Sequence, residues 1–340
     1  MTKPTWTARL RGATRGGAGP IAIAAAVASA ALGCTPTPPP HAPCVTVRSD
    51  SGLRDKEAEK TLDELVKSIQ LSPEDEALRA PKSIADVRAI LRRDTVYLFP
   101  AAAAYARSLG TPEGRLLEAS LELLLGESQL LASQVLTAQS AWVGNDLRIA
   151  RASLATESAG ARTDRTRMFV ELIRSVEEGN KIADALGIAA PAHLARGAEV
   201  IRGLRVDART DRRTAAIVAE YHRLRGEWAE FDMAMAIAEG TDRSTPALCY
   251  LRAMEQLERR GRHDLGAGAL RECLKKHPKF VRAQAALVLM ASHPAAALRE
   301  LAKLKAMNED HYLVMLLEPT LAADQELDRL TTGSAPNAPR

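Results

Sequence analysis

"LERRGRHDLGAGALRECLKKHP", residues 257–278, is the stretch from which the fold is read. A run of helix-forming residues ends at Arg260, Gly261 interrupts it, and a second run from Leu265 to Lys276 stops at Pro278. Glycine just past a helix accepts the left-handed turn that a Cβ resists, and proline cannot continue a helix. Two such runs around one glycine predict an antiparallel helix pair.

The same grammar occurs upstream. "YHRLRGEWAEFDMAMAIAE", residues 221–239, also reads as helix, glycine turn, helix, and its Gly226 stands 35 residues before Gly261. That spacing is close to the tetratricopeptide period of about 34 residues. Here the chain resembles the tetratricopeptide (TPR) family. Tyr250 and Leu257 take the large apolar places of the first helix, Gly261 the turn and Gly266 the small packing place. Leu270 takes the later large place, Cys273 replaces the usual Ala, and Pro278 closes the unit. Ala253 and Met254 depart from the first-helix signature, and the fit is best over about 210–310.

The resemblance implies an irregular α-solenoid of antiparallel helix pairs, each packed mainly on its neighbours. It also implies a concave groove that binds peptides or partner proteins, with Glu255, Glu258 and Arg259 on a first helix as candidate groove contacts. In the aligned unit Cys249 lies early in the first helix and Cys273 late in the second, which makes a disulfide plausible; two free, packed thiols are the alternative.

Outward from the repeats the chain stays helical. Leu62, Leu65, Val66 and Ile69, then Ile84, Val87, Ile90 and Leu91, keep the spacing of one buried helical face. "LSPEDEALRAPK", residues 71–82, separates them as a connection with at most a short helical turn. No alternating strand or Asn-Gly hairpin is found, so the fold class is all-α. Gly110, Gly126, Gly144, Gly160, Gly179, Gly187 and Pro191 punctuate the first half at intervals suited to short helix pairs, one of them turning at Gly126 within residues 116–142. Residues 280–307 fit another pair, turned at Ser292-His293-Pro294.

The first residues carry a different message. Lys3, Arg9, Arg11 and Arg15 are the only charges among residues 1–33, and they account for the net charge of +4. The remainder is formally neutral and lacks a basic stretch with interleaved aromatics, so it carries no footprint for nucleic acid. "IAIAAAVASAAL", residues 21–32, is too short to span a bilayer, which takes about 20 residues. A basic start followed by a short apolar run describes an export signal. Ala28-Ser29-Ala30 offers an ordinary cleavage site, whereas Ala31-Leu32-Gly33-Cys34 resembles the lipobox of bacterial lipoproteins with its first two positions swapped in character. "TPTPPPHAP", residues 35–43, suits a spacer outside a membrane. The lipoprotein resemblance implies acylation of Cys34, and Thr35 in the next position implies outer-membrane sorting.

The expected organisation is a signal peptide at 1–33, an acylated cysteine and Pro-rich linker at 34–54, a helical part at 55–205, TPR-like repeats at 206–331 and a disordered tail at 332–340. Chemistry is sparse. The seven histidines form no metal spacing, no nucleophile elbow or phosphate loop is present, and no cofactor is implied. His222 reads as a helix-surface residue, Trp228 as core beside Phe231, and Trp142 as core or ligand platform. The expectation is a membrane-tethered periplasmic scaffold with protein or peptide partners and no nucleic acid. The alternatives are a soluble periplasmic binder of small ligands and an enzyme with an unfamiliar site.

Overall fold

The computed structural model describes residues 51–154, 159–204, 211–240, 245–291 and 294–318. The signal peptide, Cys34, Cys44 and the tail at 332–340 lie outside these residues, as do the side chains of 138–176, Trp142 among them. Among the described residues every regular element is helical.

Helix α1 (Ser51–Ser68) leads through a single turn, α2 (Pro73–Glu76), into α3 (Ile84–Arg93). The start of α3 is fixed by reciprocal capping. Ser83 Oγ accepts from the Asp86 amide at 3.2 Å, and the Asp86 carboxylate accepts from the Lys82 amide at 2.8 Å. Its end is fixed by Asp94, whose φ of +56° turns the chain left-handed. A 3₁₀ turn (Val96–Leu98) and α4 (Phe99–Ser108) then deliver the chain to two long helices, α5 (Pro112–Leu154) and α6 (Ala159–Leu204).

These two helices correct the reading of the first half as short pairs. Gly126 and Gly144 lie inside the 43 residues of α5, and Gly160, Gly179, Gly187 and Pro191 inside the 46 of α6. Gly126 is a point of close approach. A Cβ there would meet Leu194 Cγ at 2.7 Å and the Ala190 carbonyl at 3.1 Å, and a Cβ on Gly197 would meet Leu123 Cδ2 at 2.9 Å. Each glycine thus receives a leucine of the antiparallel partner. Ser133 Oγ ties the helices again by donating to the Ala183 carbonyl at 2.8 Å. Glycine disfavours an isolated helix by about 1 kcal/mol, and the leucine seated against it offsets that cost.

The C-terminal half is made of shorter helices. Helix α7 (Arg212–Leu224) packs on α8 (Trp228–Glu239) through a turn at Gly226, φ +67°. Helix α9 (Pro246–Met254) continues as a widened π turn (Glu255–Arg259), then turns at Gly261, φ +61°, into α10 (His263–Lys276). Helices α11 (Val281–Leu289) and α12 (Pro294–Met307) form the third pair, and residues 312–318 add a last helical stretch.

Packing departs from the nearest-neighbour rule of an open array. One core joins Val87, Ile90, Phe99 and Leu121 to Val281, Leu301, Leu304 and Leu313. Polar bonds seal the closure: Ser72 donates its amide to Asp310 at 2.9 Å, and Asn308 Nδ2 reaches the Arg93 carbonyl at 2.6 Å and Thr95 at 3.0 Å. The boundary expected at 205/206 falls between α6 and α7, but the main core crosses it.

Two glycines of one helix make a sharp test of the packing. A Cβ on Gly266 would meet Leu257 Cγ at 2.4 Å and the Ala253 carbonyl at 3.2 Å, whereas a Cβ on Gly268 would meet nothing within 4 Å. Gly268→Ala is expected to stabilise by about 1 kcal/mol, and Gly266→Ala to destabilise by about 1–3 kcal/mol through overpacking. Thermal melts of the two variants must shift in opposite directions; equal shifts would contradict the packing.

Candidate binding cleft

The helices meet at a buried cluster of charge. Arg223 on α7 donates to Glu127 on α5, to Glu258 in the π turn, and to Glu220 at 3.0 Å. Arg282 on α11 donates to Glu127 and Glu220 and lies 4.3 Å above the Tyr250 ring of α9. Burial pushes the Glu258 carboxyl up to about 7, outweighing the nearby Arg223. Burial acts the same way on Glu220, but the two guanidinium groups prevail and hold it down at about 2.

The three candidate groove residues are internal ties. Glu255 is 2% exposed and accepts from Arg252 at 2.8 Å and Arg260 at 2.9 Å. Glu258 belongs to the cluster. Arg259 binds Asp232 of α8 at 2.9 Å and lies 5.9 Å from the Trp228 ring centre. Trp228 itself meets Phe231 edge-on at 5.6 Å and packs on the α7–α8 core. His222 departs from its surface reading: it is buried, with Nδ1 2.7 Å from a Glu227 carboxylate oxygen. Cys249 and Cys273 are joined as a disulfide across the α9–α10 pair, with Cα atoms 5.8 Å apart.

Besides a cavity of about 210 Å³ between α5, α7 and α9 that Glu220 and Arg282 line, two cavities flank this framework. One, of about 100 Å³, is bounded by Tyr250, Glu258, His263 and Arg282. It is small beside the roughly 300–1,000 Å³ of a ligand pocket. Among the described residues no group of His, Cys, Asp and Glu is gathered as for a metal ion.

The other is a cleft of about 960 Å³ between α1, the α5–α6 pair and residues 312–316. Leu62 and Val66 of α1 face Leu125 and Leu136 of α5 and Ile182 and Leu186 of α6 across it. Tyr97 closes one part, its hydroxyl 3.4 Å from the Met315 sulfur, and burial pushes the phenol well above its usual range. His193 and Arg196 line the α6 side, both turned onto buried Glu122, at 2.7 Å and 3.3 Å. Burial opposes ionisation of Glu122, yet these partners hold its carboxyl below the usual range. Gln129, 7% exposed, also lines the cleft, and its Oε1 has no hydrogen-bond partner among the described residues. Such a group is costly to leave unbonded, by about 1–3 kcal/mol.

The chain matches no protein-family model, no curated protein and no solved structure. Function is therefore argued from the cleft itself. The sequence names its walls through Leu62, Leu65, Val66 and Ile69, the apolar face of α1, but not the α5–α6 pair opposite.

The cluster and the disulfide each give a measurable outcome. Glu220 stabilises the fold above its unfolded value of 4.5, and that contribution is lost as pH falls toward 2. Glu258 has the opposite sign: the folded chain keeps its proton from 4.5 up to about 7, so its contribution fades as pH rises through that window. Melting midpoints at pH 5 and pH 7.5 are expected to show a fall of several degrees that Glu258→Gln largely removes. Peptide mapping without reductant is expected to recover a linked Cys249–Cys273 pair. Reduction should cost about 3 kcal/mol for a loop of this size, and an unchanged melt after reduction would contradict the tie.

Proposed function

We propose that the chain is a tethered interaction scaffold that receives a segment of a partner protein in the cleft between α1 and the α5–α6 pair. The observation that carries this reading is the cleft's shape. It follows α1 from Asp55 to Ile69, a length of roughly 20 Å at 1.5 Å per residue, between apolar walls. Three to four turns of helix have that length, and an apolar helix face seated in an apolar groove is a common recognition mode. Exposed Ile188 and Met315, which line the same cleft, extend its apolar surface outward.

The hairpins α7–α8 and α9–α10 support a TPR-like assignment for that part, with the glycine turns and the Gly266 contact as its basis. In this proposal the array is closed by the N-terminal helices. No helix among the described residues is long and apolar enough to cross a membrane. Attachment is assigned to Cys34, acylated on its sulfur and amine as the mature N-terminus, on the periplasmic face of the outer membrane; envelope assembly or secretion is the setting this suggests. Soluble export after Ala30 is the alternative.

Site-specific photo-crosslinking in the native cell tests the scaffold. A crosslinker replacing Leu62 or Leu186 is expected to give an adduct of one common mass, and one replacing Lys275, exposed and outside the cleft, to give none. Absence of adducts from the cleft, or equal adducts from all three positions, would overturn the proposal. Mass analysis of the mature N-terminus decides the tether: acyl mass on Cys34 supports it, and an unmodified chain starting at Ala31 removes it.

A further inference from the structure

The walls of the cleft are apolar, but its α1 rim is charged in one sense. Asp55, Glu59 and Asp63, spaced every fourth residue, all line the cleft and are all exposed. The three lysines of the same helix, Lys56, Lys60 and Lys67, do not line it. Lys60 is instead turned toward Glu64, at 3.9 Å. None of the three rim carboxylates is ion-paired with a described cation. The opposite rim has no matching surplus of positive charge, because Glu122 holds both His193 and Arg196.

We infer that the cleft's occupant is a basic amphipathic helix of a partner protein, laying its apolar face between α1 and α6 and its Lys or Arg residues against Asp55, Glu59 and Asp63. The inference rests on the reading of the cleft as a partner site and specifies the chemistry of that partner. The i, i+4, i+8 placement of the carboxylates presents them along one edge of α1, so a second helix lying beside α1 meets them in register. Rim charges of this kind steer encounter and set partner choice more than they add affinity. Gln129, buried in the floor, lines the same cleft, and its Oε1 has no hydrogen-bond partner among the described residues.

The test uses the complete chain carrying Cys34→Ala, so that no acyl group competes, and two labelled peptides of about 18 residues that share a leucine face. One carries lysine on its polar face and the other glutamate. Fluorescence anisotropy is expected to show saturable binding of the lysine peptide, at least about tenfold tighter than the glutamate peptide at low salt. The difference should shrink as salt approaches about 0.5 M. Glu59→Lys with Asp63→Lys, both at exposed positions, is expected to leave the melting temperature within a few degrees and to reverse the preference. Equal binding of both peptides, or a preference unmoved by the double variant, would overturn the inference. So would palmitate or a second copy of the chain filling the cleft and excluding the lysine peptide, or peptide binding only after truncation at Glu318. Cleft adducts in the cell combined with charge-indifferent peptides would remove this inference alone; absence of those adducts removes the scaffold reading beneath it.

Discussion

Arg223 and Arg282 sit where α5, α7, the π turn and α11 come together, and the rest of the architecture depends on how their charge is satisfied. A guanidinium taken out of water costs several kcal/mol unless carboxylates replace its hydration. Glu127 and Glu220 each accept from both arginines, so neither pair can be taken apart without stranding the other. Glu258 supplies a third carboxyl, and burial keeps it protonated to about 7, which relieves an otherwise excess negative charge. Removing one partner from such a group typically costs about 3–5 kcal/mol. The geometry it demands is directional, and this makes it a device for register. Glu127 lies on a helix of the first half, while Arg223, Glu258 and Arg282 come from three successive hairpins of the second.

The same constraint explains why the hairpins do not form an open stack. Arg282 can reach Glu127 only if α11 returns to α5, and that return brings α12 and residues 312–314 against α3 and α4. Leu304, Leu313 and Phe99 then bury one another, and Asn308 and Asp310 satisfy the backbone at Arg93 and Ser72. Apolar closure and the charge cluster reinforce each other: each fixes the approach angle that the other needs. The disulfide between Cys249 and Cys273 holds the hairpin in between, so Tyr250 stays beneath Arg282.

Where the sequence was legible, the signal was local. Gly226 and Gly261 need positive φ, and the turns they announce are present. The apolar faces of α1 and α3 follow from spacing alone. Reading failed where one residue type serves two physical ends. Gly126 looks like a turn, but a missing Cβ also lets Leu194 of another helix approach, and only the partner decides which applies. Glu255, Glu258 and His222 carry charge or polarity that usually marks a surface, and here Arg252, Arg223 and Glu227 take them inside. Arg252 is an i, i+3 neighbour of Glu255 that spacing could have named, whereas Arg223 reaches Glu258 from another helix, a pairing no periodicity encodes.

Charge that is buried and paired cannot advertise a binding site, and this sorts the molecule's surface. The charges expected to face a groove are engaged within the body, whereas α1 retains three rim carboxylates that no described cation answers. Helix α1 also has the position best suited to that difference. Seven residues separate it from the Pro-rich stretch after Cys34, and it forms a whole wall of the cleft. In the proposed arrangement tether and binding wall are therefore consecutive in the chain. A partner helix seated against α1 would bury Leu62 and Val66, strengthening the hold of α1 on α6 while leaving the charge cluster untouched. Binding would then order the edge of the molecule nearest the anchor, and the closed core would serve as the rigid surface against which that edge is pressed.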